Sequence, residues 1–144
     1  LEFRRVLFRS VLCKRFDNHH NVTVIQGDAT KTEFQPSQVY IVFLTMMFIP
    51  VHERRRLIVK LRANLLKGGV LILVDKVADH GGYFSTVLKR LGMHWKLEQG
   101  AELGDVTTKE LSLAGVQIPF DPSTLPDAKE FFRMGEFVGW VVEG

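Results

Sequence analysis

The 144-residue sequence predicts an α/β domain built on a mostly parallel sheet. Three observations carry that expectation. Apolar runs rich in Val and Ile at Val22–Gln26, Gln38–Leu44 and Val70–Val74 read as buried strands covered on both faces. An amphipathic pattern over Val51–Leu66 separates the second run from the third, and this strand–helix–strand rhythm favours parallel pairing through a right-handed crossover. The chain closes on two strand-like runs, Ala128–Met134 and Phe137–Val142, around Gly135-Glu136, which is the pattern of an antiparallel hairpin.

Residues 11 to 20 read as the end of a helix, with Val11, Leu12 and Phe16 clustering and Asn18 and Asn21 marking its exit. The run Val22–Gln26 then stops at Gly27-Asp28. A carboxylate at the C-terminal tip of a buried strand stands where open α/β sheets place ligand-binding groups. Thr30 to Ser37 is a polar connection punctuated by Pro36. After the strand Gln38–Leu44, the run Thr45–Pro50 continues apolar and ends at proline. In the helix Val51–Leu66, Leu57, Ile58, Leu61 and Leu65 form one stripe, while Glu53, Arg54, Arg55, Arg56, Lys60 and Arg62 occupy the rest. Lys67 suits the helix's negative end, and Gly68-Gly69 supplies its C-cap before the strand Val70–Val74. Further on, Tyr83–Leu91 reads as a helix and Gly100–Thr108 as a loop or short helix. Ile118–Pro126 carries three prolines and reads as a loop.

A 46% hydrophobic content supports one domain with a real core. No apolar run reaches the roughly 18 to 20 residues that a membrane span needs, and nothing resembles a signal peptide. Cys13 is the one cysteine, so the expectation is no internal disulfide and a cytoplasmic location. One cysteine with five scattered histidines argues against a structural zinc site. Residues 1–10, Leu-Glu-Phe-Arg-Arg-Val-Leu-Phe-Arg-Ser, resemble the translated adapter tail that heads many fragmentary environmental sequences. They are read as a non-native tail, and residues 11–144 as a partial domain. The net charge of +3 depends on that tail, because without Arg4, Arg5, Arg9 and Glu2 the balance is 16 basic to 15 acidic residues. Basicity is therefore poor support for nucleic-acid binding.

Several residues admit a functional and a plain reading. Asp28 is either a ligand acceptor or a turn-capping Asp. Asp75 follows a strand and reads first as a cap, second as a pocket wall. Phe43, Met46, Met47 and Phe48 read as core or pocket wall, since Met commonly fills irregular space. His19, His20 and the loop residue His80 read as incidental. Arg54, Arg55 and Arg56 spread about 200° around a helix axis and read as a solvated face. Trp95 and Trp140 read as packing residues.

Order and spacing carry a resemblance. The strand ending in Gly27-Asp28-Ala29, the hydrophobic Leu44-Thr-Met-Met-Phe-Ile-Pro50, the charged helix, Leu65-Leu-Lys-Gly-Gly-Val-Leu-Ile-Leu-Val-Asp-Lys76 and the final hairpin together resemble the second half of a class I S-adenosylmethionine-dependent methyltransferase, with a Rossmann-like sheet. The nearest likeness is to the carboxy-S-adenosylmethionine synthase group, which acts in tRNA wobble-uridine modification. It runs through Phe48-Ile-Pro-Val-His-Glu-Arg-Arg-Arg-Leu57 and Gly68–Lys76. The resemblance implies a seven-stranded sheet ending in an antiparallel hairpin, of which this chain supplies the third to seventh strands. It also implies S-adenosyl-L-methionine as cofactor. Asp28 would accept from the adenine amino group, the Ala29 backbone would meet a ring nitrogen, and Phe43 and Leu44 would pass under the ribose and methionine part.

The sequence departs from the family in two ways. No Gly-x-Gly-x-Gly occurs, so the expectation is an N-terminally truncated fragment that lacks the Gly-rich cofactor loop and is itself inactive. The synthase group also carries an Asn near Phe43 and an Arg near Glu110, and neither type stands there, which favours an ordinary methyltransferase. The methyl acceptor is then a small molecule or tRNA, with no membrane and no metal involved. A non-catalytic doubly wound interaction domain is the alternative from another class. The strand Phe137–Val142 at the end of the chain speaks against it.

Overall fold

The computed structural model describes residues 10–78 and 81–144. His80 lies outside the described residues. The chain forms two compact units, Leu1–Glu33 and Phe34–Gly144.

In the first unit, residues 10–16 are helical. The helix closes through His19 N–H donating to the Phe16 carbonyl at 2.9 Å, and Val22 N–H then donates to the His19 carbonyl at 3.0 Å. The predicted strand Val22–Gln26 is not a strand, which corrects the sequence reading. Val22 and Ile25 are exposed there, although the composition suits a buried strand. Strand propensity describes fit to a pleated, half-buried surface, and it makes no strand where no ladder forms.

The second unit is a four-stranded α/β sheet: β1 (Ser37–Phe43), β2 (Leu65–Lys76), β3 (Lys129–Met134) and β4 (Phe137–Glu143), in the spatial order β1-β2-β4-β3. β1 and β2 are parallel, with Tyr40 opposite Leu71 and Val42 opposite Leu73. β4 runs antiparallel to β2 on one side and to β3 on the other. The hairpin therefore inserts its second strand next to β2, and Gly135, at φ 60°, makes the tight turn that Gly accepts without steric cost. This is an α/β architecture with a mixed sheet, and it fits a Rossmann-like methyltransferase sheet ending in a hairpin.

The crossover helix α1 (Val51–Ala63) begins directly after Pro50 and packs on β2. It ends at Asn64, short of the predicted Leu66, because Ser37 N–H donates to the Asn64 carbonyl at 3.0 Å and Leu65 already pairs with Ser37. Gly68-Gly69 is consequently not the helix cap. It lies inside β2, where the register slips between Ser37 and Val39. Gly68 adopts φ 76°, and a Cβ on Gly69 would come within 2.7 Å of the Gln38 carbonyl oxygen. The two glycines allow a close backbone approach at a bulge.

The two sheet faces differ. One carries Val42, Leu71, Leu73, Val138, Trp140 and Val142, all buried. Leu57, Ile58 and Leu61 of α1 are buried with them, as is Phe120, whose ring meets Trp140 edge-on at 5.5 Å. The other face carries Val39, Ile41 and Phe43 of β1, which are 50%, 68% and 62% exposed. Val70, Ile72 and Val74 stand beside them in register. Helix α2 (Tyr83–Glu98) runs well past the predicted Leu91, and α3 (Leu103–Leu113) forms where a loop or short helix was expected. Gly92 sits inside α2 at a cost of about 1 kcal/mol relative to Ala. The Lys96–Glu110 ion pair, 2.8 Å, ties α2 to α3. α2 buries no residue, and Trp95 is exposed, so it is not the packing residue the sequence suggested.

Candidate functional site

Parallel strands present their C-terminal ends together, and here those ends are built with unusual care. The chain leaves β1 through Leu44, a non-glycine residue at φ 49°. That left-handed conformation costs roughly 1–2 kcal/mol for a residue with a side chain. Leu44 N–H donates to the Val74 carbonyl of β2 at 2.8 Å, and the Thr45 hydroxyl donates to the Phe43 carbonyl at 2.9 Å. A 3-10 turn, Met46–Phe48, follows at once, with Met46 and Met47 buried.

Asp75 caps that turn. Its side chain is fully buried. Oδ2 accepts from Met46 N–H at 2.7 Å and, more weakly, from Met47 N–H at 3.4 Å, while Oδ1 accepts from Lys76 N–H at 2.8 Å. Burial raises the Asp75 pKa above its ordinary value, against the backbone donors, which lower it. The capping reading of Asp75 therefore holds, but it caps the turn that precedes it by 29 residues rather than the segment that follows.

Arg54 corrects the sequence reading most sharply. It was assigned to a solvated face, yet it is 4% exposed. Nε donates to the Ile49 carbonyl at 2.9 Å, one terminal nitrogen to Pro119 at 2.7 Å, and the other to Ile118 at 2.9 Å and Met47 at 3.5 Å. Burial lowers its pKa, and the Asp75 charge opposes that. The signal was in the spacing, because 54, 57, 58 and 61 follow i, i+3, i+4, i+7 and so share the buried stripe. Arg55 and Arg56 are exposed, as expected. The loop that Arg54 reaches is pinned further, since Ile118 N–H donates to the Met47 carbonyl at 2.9 Å and Phe120 N–H to the Lys76 carbonyl at 2.7 Å. Lys76 itself pairs with Glu136 at 2.8 Å and lies 5.0 Å from the Phe137 ring.

Of the predicted site residues, Phe43 and Leu44 stand adjacent at the tip of β1. Asp28 and Ala29 belong to the first unit. Asp28 closes its own turn there. Oδ1 accepts from Thr30 N–H at 2.9 Å and the Thr30 hydroxyl at 2.7 Å, its carbonyl accepts from Lys31 and Thr32 N–H, and Lys31 Nζ is 3.8 Å from Oδ2. No helix among the described residues is long and apolar enough to cross a membrane. No group of three His, Cys, Asp or Glu among them is placed to hold a metal ion.

The chain is 32% identical over 98 residues to a carboxy-S-adenosyl-L-methionine synthase of Pseudomonas fluorescens, covering 68% of the chain and 40% of that protein. Proteins of the same name from Staphylococcus epidermidis and Pseudoalteromonas translucida are 27% identical over 128 residues and 30% over 109. Those matches cover 83% and 76% of the chain, and 56% and 45% of the relatives. The chain is a relative of class I S-adenosylmethionine-dependent methyltransferase-like proteins. No protein-family model matches it. The chain spans about half the length of the curated relatives it matches, between 40% and 56% for these three.

Proposed function

We propose that this chain is the C-terminal portion of an S-adenosylmethionine-dependent methyltransferase domain, and that Phe43, Leu44, Asp28 and Ala29 are its contribution to the cofactor site. The observation that carries the reading is the tip of β1. There an exposed Phe43 and a left-handed Leu44 stand at the C-terminal end of a parallel strand pair, the position at which open α/β sheets bind ligands. The residues suit the cofactor. The exposed Phe43 ring offers an apolar surface to a nucleoside, and the Asp28 carboxylate is a charged acceptor for an exocyclic amine. A carboxylate accepts at about four lone-pair sites, so the Thr30 bonds at Oδ1 are compatible with that role.

The cofactor, when bound, supplies an activated sulfonium methyl for in-line displacement. The chain's own groups position it and exclude water, which needs neither a catalytic triad nor a metal cluster. The acceptor is a small molecule or tRNA. The edge position of β1 among the described strands and the exposed Val39, Ile41 and Phe43 support the further reading that more polypeptide completes this sheet in the whole protein. On that reading the fragment alone binds the cofactor weakly or not at all.

Calorimetry with S-adenosylmethionine on a protein carrying the native upstream sequence tests this. Asp28→Ala should weaken binding by about 1–3 kcal/mol, the scale of a lost charged hydrogen bond. Unchanged affinity removes Asp28 from the site, and no binding by the parent protein refutes the function.

The curated relatives' name favours a second reading, a carboxy-S-adenosylmethionine synthase-like activity in tRNA wobble-uridine modification. Phe43 at the β1 tip, and Glu110 committed to Lys96, supply neither the Asn nor the Arg that the resemblance led us to expect nearby. Mass spectrometry of the small molecules retained by the purified longer protein separates the two, because a carboxylated cofactor selects the synthase.

A further inference from the structure

Leu44 keeps an unfavourable backbone conformation, and such residues persist only where their surroundings over-determine them. Three groups hold this one. The Val74 carbonyl fixes Leu44 N–H, Asp75 fixes Met46 and Met47 N–H, and Arg54 grips the carbonyls of Met47 and Ile49 from beyond the turn. The same guanidinium grips Ile118 and Pro119, so a single side chain spans both loops at this end of the sheet.

We propose that Arg54 is a positioning residue, which locks the Leu44–Phe48 rim in the one conformation that presents Phe43 and Leu44 to the cofactor. This rests on the function proposed above. Arg54 does not touch the ligand and acts through the rim. The geometry requires arginine in particular, because four carbonyls from two loops converge on a planar fork with five donors. Lysine keeps the charge but has three donors on one nitrogen and cannot bridge the same set.

Nuclear magnetic resonance on this chain, comparing the parent with Arg54→Lys and Arg54→Met, tests the proposal. The Leu44 Cα and Cβ shifts and its amide coupling report the left-handed conformation directly, which a residue important only for global stability would not move. In both variants Leu44 should leave left-handed values. Amide exchange at Met46 and Met47 should rise about tenfold or more, the equivalent of one lost charge-assisted bond, while Leu71 and Leu73 stay protected. In a protein carrying the native upstream sequence, S-adenosylmethionine should move the Phe43 and Leu44 resonances, and Arg54→Lys should weaken that response about tenfold. Should Arg54→Met fail to fold, Arg54→Lys carries the test. A left-handed Leu44 with unchanged exchange at Met46 and Met47 in a folded variant overturns the positioning role. An absent titration response in that longer protein counts against the function, while the Leu44 readout still decides the positioning role.

Discussion

Truncating Asp75 to Ala tests the rim at its most buried point. The substitution removes the acceptor of two short bonds, to Met46 N–H at 2.7 Å and Lys76 N–H at 2.8 Å, and of a long one to Met47 N–H at 3.4 Å. Asp75 is fully buried, so these donors have no ready access to water. A buried donor left without an acceptor costs about 1–3 kcal/mol. Two such donors, less the relief of no longer burying a carboxylate, give an expected loss of about 2–4 kcal/mol. Asp75→Asn keeps one carbonyl acceptor and should lose about half as much. Urea unfolding followed by fluorescence of the buried Trp140 measures both. The pH dependence adds a second arm. Burial raises the folded pKa of Asp75 above its ordinary 3.8. Its stabilising contribution is then full below that value and is lost as pH rises through the raised folded pKa. The stability of the parent relative to Asp75→Asn should therefore fall as pH rises from about 4. A loss in Asp75→Ala below about 0.5 kcal/mol, the range of ordinary surface changes, would refute the capping argument. A parent advantage that grows with pH would refute the burial argument.

Leu44→Asn should hold or raise stability by up to about 1 kcal/mol, because Asn tolerates the left-handed region better than Leu does. A loss of more than that in thermal unfolding would show that the half-buried Leu44 side chain outweighs the backbone strain. Ile41→Lys, on the exposed face of β1, should change stability by no more than about 0.5 kcal/mol and reduce self-association measured by light scattering, since a charge on an edge strand blocks pairing. A parent chain that is already monomeric at high concentration would count against the reading that this face and edge await further polypeptide.

The parts of the fold visible in the sequence are those whose residues satisfy themselves locally or with a sequence neighbour. β1 announces itself as a continuous apolar run, the hairpin by its turn, and α1 by Pro50 and a clean stripe. Two of the misreadings turn on contacts distant in sequence. Residues 22–26 have strand composition but form no strand. Gly68-Gly69 looks like a helix stop until the close approach of Gln38 is known. Arg54 looks solvated until Ile118 and Pro119 arrive, 64 and 65 residues later. Phe43 and Leu44 were legible as a strand end, but the left-handed turn at Leu44 was not, since leucine is a poor marker for that conformation.

The contrast between the sheet's two faces bears on where function can reside. On the covered face, β2 packs against α1 and Trp140 meets Phe120, and the buried polar groups Asp75 and Arg54 are both satisfied by backbone partners. On the other face, Val39, Ile41 and Phe43 are left in solvent. Phe43 lies where the two meet, because it is the last residue of the open face and adjoins the fixed rim that starts at Leu44. A ligand bound at the tip of β1 would therefore touch a surface whose backbone is set by Asp75 and Arg54. Its far wall, on the reading proposed here, comes from the polypeptide that covers the open face. Substitutions at Arg54 or Asp75 should then alter the cofactor site through the geometry of the rim, whereas Ile41→Lys should alter it only through the assembly of the sheet.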